Sequence, residues 1–239
     1  MTRRRWIADE VSGNIAALVG EHAAHLARVL RAQVGQEFDI AVGESVRRGT
    51  IVSISPERVE FALGEEVSGG VNAIELSLVL AVFKFDRMEW AIEKCTEVGV
   101  SRIIPVIARR TDAHLASTAA KRHERWERIA RSASEQSRRI APPEILAPVK
   151  LRELLTSSQS WPTGRVVLSE SENDLRLRDA LNAAGDRVAL AVGPEGGWAD
   201  DELAGFRDSG WKMASLGPTI LRAETAATVG AAIALELMR

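Results

Sequence analysis

The sequence predicts a mixed α/β protein: a small strand-rich, β-barrel-like module over residues 1–70, then a larger α/β domain with a parallel sheet over residues 71–239. Three observations lead there. The first 70 residues consist of short alternating apolar runs broken by Gly43, Gly49, Pro56 and Gly64, which is the grammar of strands and tight turns. From residue 74 onward, near-continuous apolar runs alternate with stretches of helical spacing, the pattern of parallel strands covered by helices on both faces. The length, 239 residues, suits two unequal domains, and Ser68-Gly69-Gly70 after Glu65-Glu66 is the flexible-looking break between them.

In chain order, the first module reads as a strand at RRRWIA, a helix over His22–Arg31, and strands at EFDIAV, GTIVSIS and RVEFAL. In the second domain IELSLVLAVF has the continuous apolar character of a buried strand. DRMEWAIEKCTEVG then places Met88, Ile92 and Cys95 on one helical face, with Gly99 as its stop. RIIPVI is the next strand, and a long basic helix over about 119–139 ends before Pro142-Pro143. RVVLS and RVALAVG are strands, DDELAGFRDSG a helix, WKMASLG a strand, and AETAATVGAAIALELM a closing helix rich in small residues, a face that allows close packing.

Composition excludes more than it identifies. Apolar residues at 46% and charged residues at 27% are globular values, which argues against disordered, collagen-like and coiled-coil chains. The single cysteine, Cys95, cannot form an intramolecular disulfide, and no apolar run follows the Arg-rich start, so a cytoplasmic protein without a secretory signal is expected. No stretch approaches the length of a membrane span. Four histidines and one cysteine at unrelated spacings give no metal-ligand pattern, and no metal is expected. Neither the P-loop nor the dinucleotide fingerprint occurs. The net charge of −2 conceals an uneven field: residues 102–139 hold ten basic side chains against four acidic ones, and the chain starts with Arg3, Arg4 and Arg5. Such a stripe suits phosphate contacts, and equally a solvated helix face with i,i+4 ion pairs.

Two loops carry the chemistry. ALAVGPEGGWADDEL sits where a buried strand gives way to a helix, the place at which open α/β sheets bind ligands. Gly193, Gly196 and Gly197 let the backbone approach a ligand, Pro194 stiffens the turn, and Asp200 or Asp201 can cap the next helix. Alone, this is also what a tight structural turn looks like. SLGPTILRAETAA again follows a strand and opens a helix, with Arg222 and Glu224 set among apolar residues, and VVLSESE can supply a third wall. Backbone amides, apolar walls and a carboxylate, without basic residues in the GPEGG loop, suit an adenosine compound better than a triphosphate.

With these residues in view, the chain resembles the RsmE-type 16S ribosomal RNA (uracil-1498-N3)-methyltransferases of the SPOUT superfamily. The resemblance rests on the Arg-rich start, HLARVLR at 25–31, EKCTEVGV at 93–100, SEQSRR at 134–139, VGPEGGW at 192–198 and LGPTILRAETAA at 216–227, six motifs in order along the whole chain. It implies an N-terminal PUA-like RNA-binding domain, a methyltransferase domain with a C-terminal trefoil knot, and a homodimer formed through that domain. It also implies S-adenosylmethionine as cofactor, held in bent form with backbone groups on its adenine. The implied cofactor residues are Leu168, Ser169, Gly193, Pro194, Glu195, Gly196, Gly197, Leu216, Gly217, Ile220, Leu221, Arg222, Thr225 and Ala226. Arg3, Arg4, Arg5, Arg28, Arg31, Arg109, Arg110, Arg138 and Arg139 are the implied RNA contacts, on 16S ribosomal RNA within the small subunit. The family pattern EQSGR becomes Glu135-Gln136-Ser137-Arg138-Arg139 here, and its LGPRILR carries Thr219 in place of arginine.

The implied reaction is an in-line displacement from a sulfonium to uracil N3, so placement of the base and exclusion of water are the main tasks. N3 bears a proton and pairs in duplexes, so the base must be unpaired or extruded and deprotonated. Arg222 is the candidate for stabilising charge on the uracil oxygens; Glu224 either orients Arg222 or accepts a proton, and the pair could instead be a structural salt bridge. Two other classes stay open: an RNA-binding assembly factor without methylation, and an enzyme for another adenosine or phosphate ligand.

Overall fold

A computed structural model of the chain describes residues 5–69, 74–157, 160–182 and 185–238. The chain divides into two compact units, one drawn from Met1–Asn72 with Ser134–Ala141 and the other from Ala73–Ala133 with Pro142–Arg239. The end of the basic helix and the turn after it therefore group with the first unit, an assignment that strand and helix patterns along the chain do not reveal.

The first unit is built on six strands: β1 (Arg5–Ile7), β2 (Glu10–Ser12), β3 (Ile15–Val19), β4 (Glu37–Val42), β5 (Ser45–Ile54) and β6 (Arg58–Gly69). They form one sheet in the order β1-β4-β5-β6-β3-β2, parallel between β1 and β4 and antiparallel elsewhere. Among the described residues β1 and β2 end the sheet and do not pair with each other. Inward side chains Trp6, Leu18, Ile40, Ile51, Val59 and Phe61 make its core, joined by Ala23 and Leu26. Gly49 is required there: a Cβ at this position would lie 2.5 Å from Ile40 Cγ1, where β4 and β5 press flat together.

The expected helix over His22–Arg31 starts and ends earlier and is irregular. α1 (Gly20–Ala24) passes into a π-type turn over His25–Val29, and Arg31 takes φ +50. The π register shifts the later side chains off the regular helical stripe. Leu26 is buried while Arg28, Val29, Leu30 and Arg31 are exposed.

The second unit holds a seven-stranded, wholly parallel sheet: β7 (Glu75–Ala81), β8 (Arg102–Ile107), β9 (Glu144–Ile145), β10 (Val149–Lys150), β11 (Gly164–Leu168), β12 (Arg187–Val192) and β13 (Lys212–Ala214). The order is β10-β8-β7-β12-β11-β13, with β9 also on β8. The helices are α2 (Phe85–Val98), α3 (Ala113–Thr118), α4 (His123–Gln136), α5 (Leu151–Thr156), α6 (Leu177–Ala180), α7 (Asp200–Asp208) and α8 (Ala223–Leu237). The long basic helix is thus broken, with a 3-10 turn at Ala119–Arg122 between α3 and α4.

Period-two alternation along each strand feeds two cores. Leu76, Leu78 and Leu80 of β7 with Val188, Leu190 and Val192 of β12 face α2, α4 and α8, whereas Val79, Ala81, Ala189 and Ala191 face Leu151, Leu154, Phe206, Trp198 and Trp211. On α2 the buried stripe is Met88, Ala91, Ile92 and Cys95, and Gly99 ends the helix at φ +119, its N–H bonded to the Cys95 and Thr96 carbonyls. Small residues on α8 allow a close approach: a Cβ on Gly230 would lie 3.0 Å from Leu190 Cδ2 and 3.1 Å from Leu168 Cδ1. No helix of the described residues is long and apolar enough to cross a membrane.

Candidate functional site

The adjacent parallel strands β12, β11 and β13 end on the same side of the sheet, and their following loops enclose a cavity of about 460 Å³ within the second unit. Leu168, Ser169 and Glu170 come from the end of β11, Val192 to Glu195 and Gly197 from that of β12, and Ser215 to Gly217 with Thr219 to Ala223 follow β13. This is the carboxyl-end crevice of an open α/β sheet, and its volume is that of a small-molecule site.

Local sequence fixes each wall. Trp198 donates its indole N–H to the Leu168 carbonyl at 3.2 Å and lies 3.3 Å from the place a Cβ on Gly193 would take, so the ring ties the β11 and β12 loops. Gly197 closes a turn by donating to the Pro194 carbonyl at 2.8 Å and has φ +69; a Cβ there would be 3.2 Å from Glu170 Oε1. Ser169 N–H donates to the Ala214 carbonyl, and Ser215 N–H to that of Leu175, joining the β11 and β13 loops. The helix after the glycine loop is capped differently from expectation: Glu202 accepts from Ala199 N–H at 2.9 Å and from Arg109 N–H at 2.7 Å, while Asp201 pairs with the Arg109 guanidinium.

Most of the implied cofactor residues share this wall: Leu168, Ser169, Gly193, Pro194, Glu195, Gly197, Leu216, Gly217, Ile220, Leu221, Arg222 and Ala226. Gly196 and Thr225 do not line it, and neither does Glu224. Arg222 is exposed and makes no ion pair within 4.0 Å among the described residues, so the Arg222–Glu224 salt bridge does not form. Glu224 is buried, with Oε1 at 3.9 Å from Arg87 Nε and with Oε2 buried and lacking a hydrogen bond.

Arg87 is a cationic member of the wall that the motif reading did not place there, and Arg110, expected near the pocket as an RNA contact, lines it too. Arg87 stands in the first turn of α2, with Nη1 3.6 Å from Glu195 Oε1. Arg110 follows β8 and donates from Nη1 to the Gly196 carbonyl at 2.7 Å. The missing signal was strand order. Once β7 is known to lie beside β12, and β8 beside β7, the residues just beyond their ends belong to the same rim.

Of the implied RNA contacts, Arg109 is an exposed partner of Asp201, and Arg110 serves the glycine loop. Arg5, Arg28, Arg31, Arg138 and Arg139 belong to the first unit; Arg3 and Arg4 lie outside the described residues. Arg5 donates to the Arg138 carbonyl, and burial lowers its pKa, opposed by Asp39 and aided by the charge of Arg138. Burial likewise pushes Arg139 down to about 10. Among the described residues no group of three or more His, Cys, Asp or Glu side chains is placed to hold a metal ion.

A family model for the RNA methyltransferase domain matches residues 53–235. The ribosomal RNA small subunit methyltransferase E of Mycobacterium bovis is 31% identical over 234 residues, 91% of this chain and 85% of that protein. Its counterpart in Synechocystis is 32% identical over 213 residues, 87% of this chain and 68% of that protein. The crystal structure of the same enzyme from Neisseria gonorrhoeae bound to S-adenosyl methionine superposes with a TM-score of 0.86 at 27% identity, covering 99% of this chain and 98% of that one. The strand-end cavity, the two signature loops around it and these likenesses agree: the chain belongs to the RNA methyltransferase family, among the ribosomal RNA small subunit methyltransferase E proteins.

Proposed function

We propose that this protein transfers a methyl group from S-adenosylmethionine to N3 of a specific uridine of 16S ribosomal RNA in the small ribosomal subunit, in the cytoplasm. The observation that carries the reading is the convergence of three loops, from three neighbouring parallel strands, on one cavity of about 460 Å³.

The residues fit the cofactor. The glycine loop and the Leu216–Gly217 loop offer backbone groups at the wall, Leu168, Leu221 and Ala226 offer apolar surface, and Trp198 fixes the β11 and β12 loops against each other. When bound, S-adenosylmethionine supplies a methyl group activated by its sulfonium. The chain's own task is to hold the base in line, exclude water and stabilise charge on the uracil oxygens, the last by Arg222, a role supported by its position on the cavity wall. Glu224 lies behind Arg87, so its contribution runs through that guanidinium rather than through Arg222.

Residues 1–70 form a PUA-like RNA-binding domain and residues 71–239 a knotted SPOUT domain. The mostly antiparallel six-stranded sheet of the first unit supports the former. For the knot, the support is that the chain leaves the edge strand β13 and returns as α8 against α2, β7 and β12. Arg5, Arg28, Arg31, Arg138 and Arg139 are the phosphate contacts of the first unit, with Arg3 and Arg4 at the chain start. Exposed Trp90 on α2 and Val229 and Leu237 on α8, two helices packed together, support a homodimer through this face.

Thermal shift tests the cavity's ligand class. S-adenosylmethionine and its demethylated product should raise the melting temperature by mass action, while ATP and NAD leave it unchanged. The reverse selectivity would favour an enzyme of another adenosine ligand.

A further inference from the structure

Arg87 is the one guanidinium on the cavity wall that is both partly buried and set between two carboxylates. Its side chain is 32% exposed; Nη1 lies 3.6 Å from Glu195 and Nε 3.9 Å from Glu224. Both separations exceed hydrogen-bond length, and among the described residues the Arg87 guanidinium donates no hydrogen bond. A guanidinium carries five N–H donors in a planar fork, so here the charge is balanced while the donors are unspent. Glu224, absent from the wall, supplies a carboxylate at its back. Glu195, on the glycine loop, supplies one at its side. This is the arrangement of a positioned donor awaiting an acceptor oxygen.

Uracil provides such an oxygen. N3 sits between two carbonyl groups, and when its proton leaves, the negative charge spreads onto both oxygens. Of the three wall guanidiniums, Arg110 is bonded to the Gly196 carbonyl, which leaves Arg87 from α2 and Arg222 from the lip before α8 for two such oxygens. We propose that Arg87 donates a hydrogen bond to a uracil carbonyl oxygen beside N3, stabilises the N3 anion and is thereby a catalytic residue. The inference rests on the uridine-N3 reading above. In the step, the N3 proton passes to water at the cavity mouth. N3 then forms its bond to the methyl carbon while the carbon–sulfur bond breaks, and that bond's electron pair stays on sulfur, giving 3-methyluridine and S-adenosylhomocysteine.

The test compares wild type, Arg87→Gln and Arg87→Lys in single turnover on small subunits lacking the modification, as a function of pH. Calorimetric binding of S-adenosylhomocysteine is measured beside it. Loss of one preorganised donor to a developing oxyanion costs on the order of 100-fold in rate. Arg87→Gln should lose about that near neutrality, with its pH–rate profile displaced upward by roughly one unit or more, because the anion is harder to form. Its affinity for S-adenosylhomocysteine should change less than about threefold, since Arg87 is assigned to the base and not to the cofactor. Arg87→Lys, which keeps the charge and loses the planar fork, should fall between the two. If Arg87→Gln lowers cofactor affinity and rate in proportion with the profile unmoved, Arg87 only ties the loops and the proposal is overturned. If wild type itself makes no 3-methyluridine, the uridine-N3 reading falls and this proposal with it, an outcome distinct from an active wild type with an unshifted variant.

Discussion

The Arg110 guanidinium donates to the Gly196 carbonyl at 2.7 Å, holding the glycine loop from a residue that follows a different strand. Arginine there is a loop clamp. Gly196 has its Cβ direction filled at 3.5 Å by Arg110 Cδ, so the side chain lies along the loop as well as bonding to it. Replacing Arg110 with Ala should weaken S-adenosylmethionine binding by about 1.4 kcal/mol, roughly tenfold in Kd, with little change in melting temperature of the free protein. Calorimetry checks this. Unchanged cofactor affinity with weakened RNA binding would return Arg110 to the RNA-contact role that the family resemblance implies.

Arg222 and Glu224, two residues apart, do different work. Arg222 stands exposed at the cavity lip, while Glu224 is buried beside Arg87. Arg222→Ala should lower cofactor affinity and turnover together, the latter by about 100-fold. Steady-state kinetics across cofactor concentration decides. Full turnover at saturating cofactor would remove Arg222 from the chemistry.

Arg138 takes φ +61, the left-handed region that disfavours any side chain with a Cβ. It occupies the position at which the resembling family carries glycine. Its carbonyl accepts from Arg5, a bond that glycine would keep, and its charge opposes that of Arg5. Arg138→Gly should therefore stabilise the protein by about 1 kcal/mol, seen as a melting temperature about 2–4 °C higher. A loss of stability would mean that the Arg138 side chain contributes more than the backbone conformation costs.

Cys95 lies fully buried on the α2 stripe, and burial pushes its thiol up from 9.0 to about 12, a hydrogen bond involving Thr228 acting the other way. Because the folded value is raised, the stabilising contribution is fully present below pH 9.0 and is lost as pH rises toward about 12. The cost of Cys95→Ala should accordingly be about 2 kcal/mol smaller at about pH 10.5 than at about pH 8. Denaturant unfolding at the two pH values measures it. An equal cost at both would show that Cys95 ionises as readily in the folded protein as in the unfolded one.

The parts of the fold legible in the sequence are those where local pattern and tertiary environment agree. The runs at 75–81, 102–107 and 187–192 read as buried strands because both of their faces are covered. α2 was readable from Met88, Ile92, Cys95 and Gly99. β2 and β3 were not: Ile15–Val19 has no alternation, and its turn is made by Gly13 at φ +56 within an otherwise ordinary run. The helix expected at His22–Arg31 is present but irregular, because the π turn and the left-handed Arg31 go with the packing of Leu26 in the core, which spacing does not encode. The site follows the same rule. Its glycine loops announce themselves through residue type, whereas Arg87 reaches the wall only because β7 pairs with β12, a neighbour more than a hundred residues away in sequence.

Transfer of labelled methyl from S-adenosylmethionine to small ribosomal subunits lacking the modification, with nucleoside analysis of the product, decides whether this chain methylates uridine N3. Recovery of 3-methyluridine in the 16S ribosomal RNA is the expected result. Absence of label, with cofactor bound and with the same subunits accepting methyl from an active family member, would exclude this activity and favour an RNA-binding assembly factor.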